Sequence, residues 1–198
     1  MYKLFTTIFL VFTPILKAQD GVFSRKIITP DIGVKTNILY IATTTLNVGA
    51  EFKLSDKYTF DFSINYNPWT FSNNKKIKHL LLQPELRYWI CDPFDKHFFG
   101  FHLLYAHYNI GSIKLPLGIY PSLENSRYQG DLYGAGFSYG YQWYLSPRWS
   151  IEATFGFGYV YTDYDRYQCK TCGTFIESGN KHYFGPTKAG VSLIYFLK

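Results

Sequence analysis

The chain has 198 residues, a net charge of +6, and an aromatic content of 21% that includes 19 Tyr and 18 Phe. This length suits one domain, and the charge is too small to indicate a nucleic-acid partner. No run after residue 18 contains the roughly eighteen consecutive apolar residues that a membrane-spanning helix requires. Aromatic richness with a mean hydropathy of −0.11 is instead typical of a β-barrel.

The first residues have the pattern of an export signal. A short basic start precedes an apolar run from Leu4 to Leu16, and polar residues follow at once. Such a run is too short to span a bilayer but fits a secretory signal peptide, which we predict over residues 1–18. The alternative is a buried first strand or helix.

Eight later segments alternate apolar and polar residues, as β-strands do, because successive side chains of a strand point to opposite faces. The predicted strands cover residues 33–42, 46–55, 57–66, 79–91, 97–109, 131–145, 148–162 and 183–197. The brief turns lie at 55–57, 92–96 and 146–148, and the long polar segments at 67–78, 110–130 and 163–182.

An even number of antiparallel strands, with short turns on one rim and long loops on the other, is typical of bacterial outer-membrane barrels. The sequence therefore predicts an all-β fold, an eight-stranded antiparallel up-and-down transmembrane β-barrel over residues 33–198. An N-terminal periplasmic segment over 19–32 precedes it, and the long loops lie outside the cell.

The two faces of the strands differ most clearly in the hairpin from Leu132 to Thr162, where aromatic residues alternate with glycines and small polar residues. A soluble barrel would have to enclose the aromatic rows, and eight strands enclose too little space for them. We therefore predict that the aromatic rows face lipid. The candidate aromatic girdles are Trp143, Trp149 and Tyr58 near the short turns, and Tyr66, Tyr133, Tyr159 and Tyr161 near the long loops.

The polar face of each strand, directed inward, collects four positive and four negative side chains. The predicted interior charge network consists of Lys35, Glu51, Lys53, Asp61, Glu85, Arg87, Glu152 and Lys188. Buried charges must be paired or hydrated, so a balanced network that fills the lumen is expected, and conduction is not. Pro84 leaves an alternative for Glu85 and Arg87, because a bulge there would turn them outward; Trp89 shares their face.

Cys169 and Cys172 form a single C-x-x-C motif in the last long loop, without the further ligands of a zinc site. In an exported protein this pattern favours a loop disulfide, with a pair of free thiols as the alternative. Cys91 is left over as a lone thiol.

Lys75, Lys76 and Lys78 precede the fourth strand, close to the level of the outer leaflet's phosphates. They predict a contact with lipopolysaccharide, with a solvated loop face as the alternative. The five histidines are scattered; His107 is the first candidate for catalysis, but it has no spaced partner. The sequence predicts no catalytic residue, metal site or cofactor.

Several segments together resemble one family, among them QPELRYW, YGAGFSYGYQW, RWSIEATFGFGY and YFGPTKAGVSLIYF. They are similar to a Bacteroidota family of small outer-membrane β-barrel proteins with a domain of unknown function, over about Gly33 to Lys198. The resemblance implies an exported barrel in the bacterial outer membrane. Its last strand implies recognition by the barrel-assembly machinery, although Lys198 follows the aromatic position. Some members lie beside genes for fimbrial or surface-adhesin assembly, which implies a surface role.

The expected function is thus that of a closed outer-membrane barrel with a structural or surface-interaction role through its long loops. Its expected partners are outer-membrane lipid and lipopolysaccharide, the barrel-assembly machinery, and a surface or fimbrial protein. Two alternatives remain: a conduit for a small apolar molecule, and an enzyme that modifies outer-membrane lipid.

Overall fold

In a computed structural model, which describes residues 30–72, 75–112, 126–168 and 173–197, eight antiparallel strands close into a barrel. The strands are β1 (Ile32–Asn37), β2 (Leu46–Lys53), β3 (Tyr58–Asn67), β4 (Lys76–Trp89), β5 (Lys96–Gly111), β6 (Ser126–Tyr144), β7 (Trp149–Gln168) and β8 (Phe175–Leu197). Each pairs with the next along the chain, and β1 pairs with β8, which confirms the predicted up-and-down topology. No helix in the described part of the chain is both long and apolar enough to cross a membrane.

The first strand is shorter than predicted. β1 ends at Asn37, and a 3-10 helix occupies Ile38–Thr43, so the expected strand residues 38–42 were wrong. The side chain of Asn37 accepts a hydrogen bond from the Leu39 backbone at 3.1 Å, and Thr44 ends the helix in the left-handed region with φ 53°. Local capping at both ends thus replaces strand pairing.

Asn37 also extends the barrel seam beyond the end of β1. Its amide nitrogen donates to the Ala189 carbonyl at 3.1 Å, and its amide oxygen accepts from the Val191 backbone at 3.2 Å. The backbone pairing of β1 with β8 runs only from Ile32↔Leu197 to Asn37↔Ser192. The Asn37 side chain therefore supplies hydrogen bonds to two backbone groups of β8 that lie beyond this pairing.

The wall of the barrel is much taller on one side. β6, β7 and β8 contain 19, 20 and 23 residues, whereas β1 contains 6. The predicted loops 110–130 and 163–182 are therefore partly strand, with pairs such as Ser126↔Gln168 and Asp163↔Asn180. Polar and aromatic residues occur on both faces there, so the alternation that identifies a half-buried strand is absent.

Two register features decide which residues enter the lumen. Pairing with β3 continues unchanged through Phe62↔Pro84, so Pro84 marks no bulge and Glu85 and Arg87 point inward as predicted. The bulge lies in β8, where Gly156 pairs with Lys188 and Phe157 with Pro186, and Thr187 is the extra residue. A bulge redirects side chains, and here it turns both Thr187 and Lys188 toward the interior.

The lumen has an aromatic layer at the short-turn end. Trp89, Phe94, Phe98, Ile194 and Phe196 are buried together there. The Trp89 and Phe98 rings lie 4.8 Å apart, and those of Phe94 and Phe196 lie 5.4 Å apart. The glycine at position 140 makes room for this layer, because a Cβ there would overlap the Phe98 ring.

We expect Gly140→Ala to lower the free energy of unfolding by about 1–3 kcal/mol, because Phe98 is held by Trp89 and cannot retreat from the added methyl group. Urea unfolding in detergent micelles, followed by tryptophan fluorescence, measures this loss. Ala135→Val, which adds volume to the outer face of the same strand, is the control and should change the free energy by less than about 0.5 kcal/mol. Equal effects of the two substitutions would contradict the assignment of the faces.

Candidate functional site

Arg87 lies at the centre of the lumen and is completely buried. Its Nε contacts Glu85 Oε1 at 2.6 Å, and its Nη1 contacts Glu51 Oε2 at 2.8 Å and Glu152 Oε2 at 2.7 Å. Its Nη2 contacts Asp61 Oδ2 at 3.1 Å. One guanidinium therefore binds four carboxylates, which the rigid fork of five donors makes geometrically possible.

Two lysines complete the network. The Lys35 ammonium lies 2.5 Å from Glu51 Oε2, 3.2 Å from Asp61 Oδ1 and 3.4 Å from Glu152 Oε2. The Lys188 ammonium lies 2.7 Å from Glu85 Oε2 and 3.5 Å from Asp61 Oδ2. The interior thus brings together three cations and four anions from six different strands.

Lys53, predicted as the eighth member, lies outside this network. Its ammonium is 3.3 Å from Asp56 Oδ1, in the turn that follows β2. Lys53 is the last residue of β2 and lies at the rim of the barrel, next to the turn that contains Asp56.

Two hydroxyl groups add hydrogen bonds to the carboxylates of the network. Thr59 donates to Glu51 Oε1 at 2.5 Å, and Thr154 donates to Glu152 Oε1 at 2.7 Å. Trp89 Nε1 in turn donates to the Thr59 hydroxyl at 2.8 Å, which joins the network to the aromatic layer. Satisfied in this way, buried charges avoid much of the penalty of leaving water.

The network and the aromatic layer close the lumen together. The Arg87 guanidinium stacks on the Phe98 ring, with 4.2 Å between its Cζ and the ring centroid. Above Arg87 a cavity of about 30 Å³ remains, lined by polar groups such as Asn65, Gln83 and Lys188. A cavity of this volume holds about one water molecule. The described residues therefore leave little free space beside Arg87.

His102 is a buried residue that the sequence reasoning did not single out. Its Nε2 lies 2.9 Å from Thr187 Oγ1, and its Nδ1 lies 3.8 Å from Glu85 Oε2. Its position on the inner face of β5 follows from alternation, but the contact with Thr187 depends on the bulge in β8. His102 and Glu85 are completely buried, whereas Thr187 is half-buried. The imidazole thus packs beside a carboxylate that Arg87 and Lys188 already bind.

The outer surface is apolar between two aromatic girdles. Tyr58, Trp143 and Trp149 are exposed near the short turns, and Tyr66, Tyr133 and Tyr159 are exposed toward the opposite end. Large exposed apolar residues lie between them, including Phe99, Phe101, Leu103, Phe137, Phe155 and Phe157. Trp149 and Tyr159 are ten positions apart along β7. At about 3.4 Å per residue and a tilt of about 45°, the girdles are about 24 Å apart.

Ionisable groups reappear on the outer face at the upper girdle. His107 Nδ1 lies 3.0 Å from Asp131 Oδ1, which also accepts a hydrogen bond from the Tyr105 hydroxyl at 2.9 Å. Both His107 and Asp131 are substantially exposed, and His107 is thereby part of a surface pair rather than of the interior.

The remaining predicted positions are scattered. Lys75, Lys76 and Lys78 lie at the upper end of β4, and Cys91 is a free, half-buried thiol after its lower end. Cys169 and Cys172 lie outside the described residues, as does the predicted signal peptide. Among the described residues, no group of three or more His, Cys, Asp and Glu side chains is arranged to hold a metal ion.

These features define a small, closed, antiparallel β-barrel with a charged core and an apolar exterior. The chain belongs to the family described as "Protein of unknown function (DUF3575)", whose model matches residues 4–197. This confirms the resemblance to a family with a domain of unknown function. No curated protein and no solved structure matches the chain.

We expect Arg87→Met to lower the free energy of unfolding by about 3–5 kcal/mol, because it leaves four buried carboxylates facing two lysines. The double variant Arg87→Met/Glu152→Gln removes one of those charges and should recover about 1 kcal/mol or more. Urea unfolding in detergent micelles measures both. A single variant as stable as the wild type would show that Arg87 does not hold the interior together.

Proposed function

We propose that this protein is an integral barrel of the bacterial outer membrane, closed to solute passage, with a structural or surface-interaction role. The observation that carries the proposal is the apolar band between two aromatic girdles. Its height of about 24 Å matches the apolar band of about 25 Å that outer-membrane barrels present to lipid.

Water is a poor solvent for this exterior. Phe137 and Phe184 are 72% and 74% exposed, and they belong to a belt of exposed apolar side chains that surrounds the barrel. A soluble protein rarely exposes a contiguous apolar patch larger than a few hundred Å². In hydrocarbon, exposure of the same belt carries no hydrophobic penalty. Closure of the sheet also supplies hydrogen bonds to most of the backbone.

The taller side of the barrel supports the surface role. Above the upper girdle β6, β7 and β8 continue as a sheet with Arg127 stacked on Tyr167 at 4.5 Å. Arg166 there pairs with Glu177 at 3.1 Å. Aromatic and arginine side chains on a rigid sheet are the kind that dominate protein interfaces. We propose that this upper sheet contacts a surface or fimbrial protein outside the cell.

The filled lumen supports a role that is neither transport nor catalysis. A conduit for a small apolar molecule would require an apolar passage, and the interior is occupied by seven charged side chains and the aromatic layer. In the proposed location the C-terminal strand β8 would be recognised by the barrel-assembly machinery. Lipid A profiling of a deletion strain tests the enzymatic alternative, which an altered acylation or phosphate pattern would support.

Membrane fractionation with heat-modifiable gel mobility tests the proposed location. A folded barrel resists dodecyl sulfate at room temperature and migrates differently after boiling, so we expect an outer-membrane fraction whose band shifts on heating. A soluble periplasmic protein without a shift would overturn the proposal and restore a soluble barrel.

Phe137→Arg separates a lipid-facing from a water-facing surface. Phe137 lies midway between Tyr133 and Trp143, and arginine at the midplane of a membrane costs about 2–4 kcal/mol. We expect that loss in urea unfolding from lipid vesicles. The control is Phe175→Arg, in the upper sheet at 53% exposure, which should cost less than about 1 kcal/mol. If both substitutions are equally mild, the belt does not face lipid.

We further expect no stable conductance steps from the purified protein in planar bilayers, because the network and aromatic layer fill the lumen. Insertion is verified separately by protease protection of the same reconstituted sample. Reproducible single-channel steps from the inserted protein would contradict the closed interior and favour a conduit.

A further inference from the structure

An apolar groove of about 630 Å³ lies at the upper end of β2 and β3, outside the lumen. Ile41, Leu46, Trp69 and Phe71 form its apolar walls, and threonines form the rest. Ile41 is 69% exposed and Leu46 is 59% exposed. These side chains point away from the protein interior and remain exposed in the described part of the barrel.

A buried polar clamp holds the groove in shape. The side-chain amide of Asn67 donates to the Thr43 carbonyl at 2.9 Å and to the Thr45 hydroxyl at 3.0 Å. Trp69 Nε1 donates to the Thr44 carbonyl at 2.9 Å, which fixes the indole against the 3-10 helix. Because Asn67 is almost fully buried, the clamp fixes the two walls relative to each other.

The groove begins where the apolar belt ends. Leu46 pairs with Tyr66 of the upper girdle, and Tyr66 pairs with Leu80, so these residues lie at one level. Trp69 and Phe71 follow Tyr66 in the chain and lie above that level. The groove is therefore a continuation of the belt into the layer where lipid headgroups would lie.

Lysines border the groove. The Phe71 backbone donates to the Lys75 carbonyl at 2.8 Å, and Thr70 pairs with Lys76 across a β-bridge. Lys76 and Lys78 share the outer face of β4 with Leu80, because side chains alternate along a strand. No carboxylate of the described residues forms an ion pair with these three lysines. Their charge is available to an external anion.

We propose that this site binds a single anionic outer-leaflet lipid whose headgroup exposes a phosphate without a compensating positive charge. One acyl chain lies in the groove against Trp69 and Leu46, and the phosphate lies against Lys76 and Lys78, with Lys75 at the edge. The proposal rests on the proposed membrane location, and it names the lipid class and the residues that select it. Continuity with the lipid-facing belt and the positive charge favour this occupant over an apolar protein segment, which would not require the lysines.

Quenching of Trp69 fluorescence by brominated lipid tests the site, because bromine quenches an indole only at close range. The protein is reconstituted in phosphatidylcholine vesicles that contain a minor fraction of dibrominated phosphatidic acid or, in parallel, dibrominated phosphatidylcholine. The chain has four tryptophans, so the difference between wild type and Trp69→Phe isolates the Trp69 signal. We expect phosphatidic acid to quench it at a concentration lower by on the order of tenfold, given two lysines at an anionic headgroup.

Two charge variants make the result specific. Lys76→Gln/Lys78→Gln should abolish the preference for phosphatidic acid. Lys96→Gln/Arg148→Gln, which removes two positive charges at the opposite end of the barrel, should retain it. Equal quenching by both lipids in the wild type, quenching by neither, or a preference that survives the lysine substitutions would overturn the proposal.

Flotation of the vesicles in a density gradient, done on the same samples, distinguishes the two proposals. A protein that fails to float with lipid overturns the membrane location and the lipid site together. A protein that floats but does not prefer phosphatidic acid to phosphatidylcholine overturns the lipid site alone.

Discussion

The structure depends on one arginine that satisfies four buried carboxylates. Without Arg87 the interior would contain four anions and two lysines in a space with room for about one water molecule. An eight-stranded barrel encloses a narrow lumen, so its charges must neutralise each other or remain costly. Arg87 meets this constraint because its planar fork reaches several acceptors at once, and the Phe98 ring covers the face that no acceptor reaches.

Closure of the barrel brings the members of that network together. Glu51, Arg87, Glu152 and Lys188 belong to four different strands, so they meet only when the sheet closes. The seam is also short, with six residue pairs between β1 and β8, and the Asn37 side chain adds two hydrogen bonds to it. Charge pairing within the lumen and hydrogen bonding at the seam therefore support the same closed state.

The sequence predicted the barrel, the strand number and seven of the eight interior charges, because alternation determines which face each side chain occupies. It failed where a local interaction overrides alternation. Asn37 caps a helix in place of the five further strand residues that were predicted, and Thr187 shifts the register of β8 by one. The upper parts of β6, β7 and β8 were also not predicted as strands. Tyr, Asp and Arg occur on both of their faces, so apolar and polar residues do not alternate there. The apolar groove could not be foreseen, because Ile41 and Trp69 become neighbours only through the Asn67 clamp.

The unequal height of the wall makes the two sides of the barrel different. β1, β2 and β3 end near the upper girdle, whereas β6, β7 and β8 extend well above it. The upper end of the barrel is therefore a wall on one side rather than a rim of equal height. In the proposed location, a molecule that approaches from outside the cell would meet a tall sheet on one side and a low edge on the other. Two paired strands can also each gain two residues at the upper end without changing the faces or the pairing of the residues below. The height of the wall could thus change without disturbing the charged core.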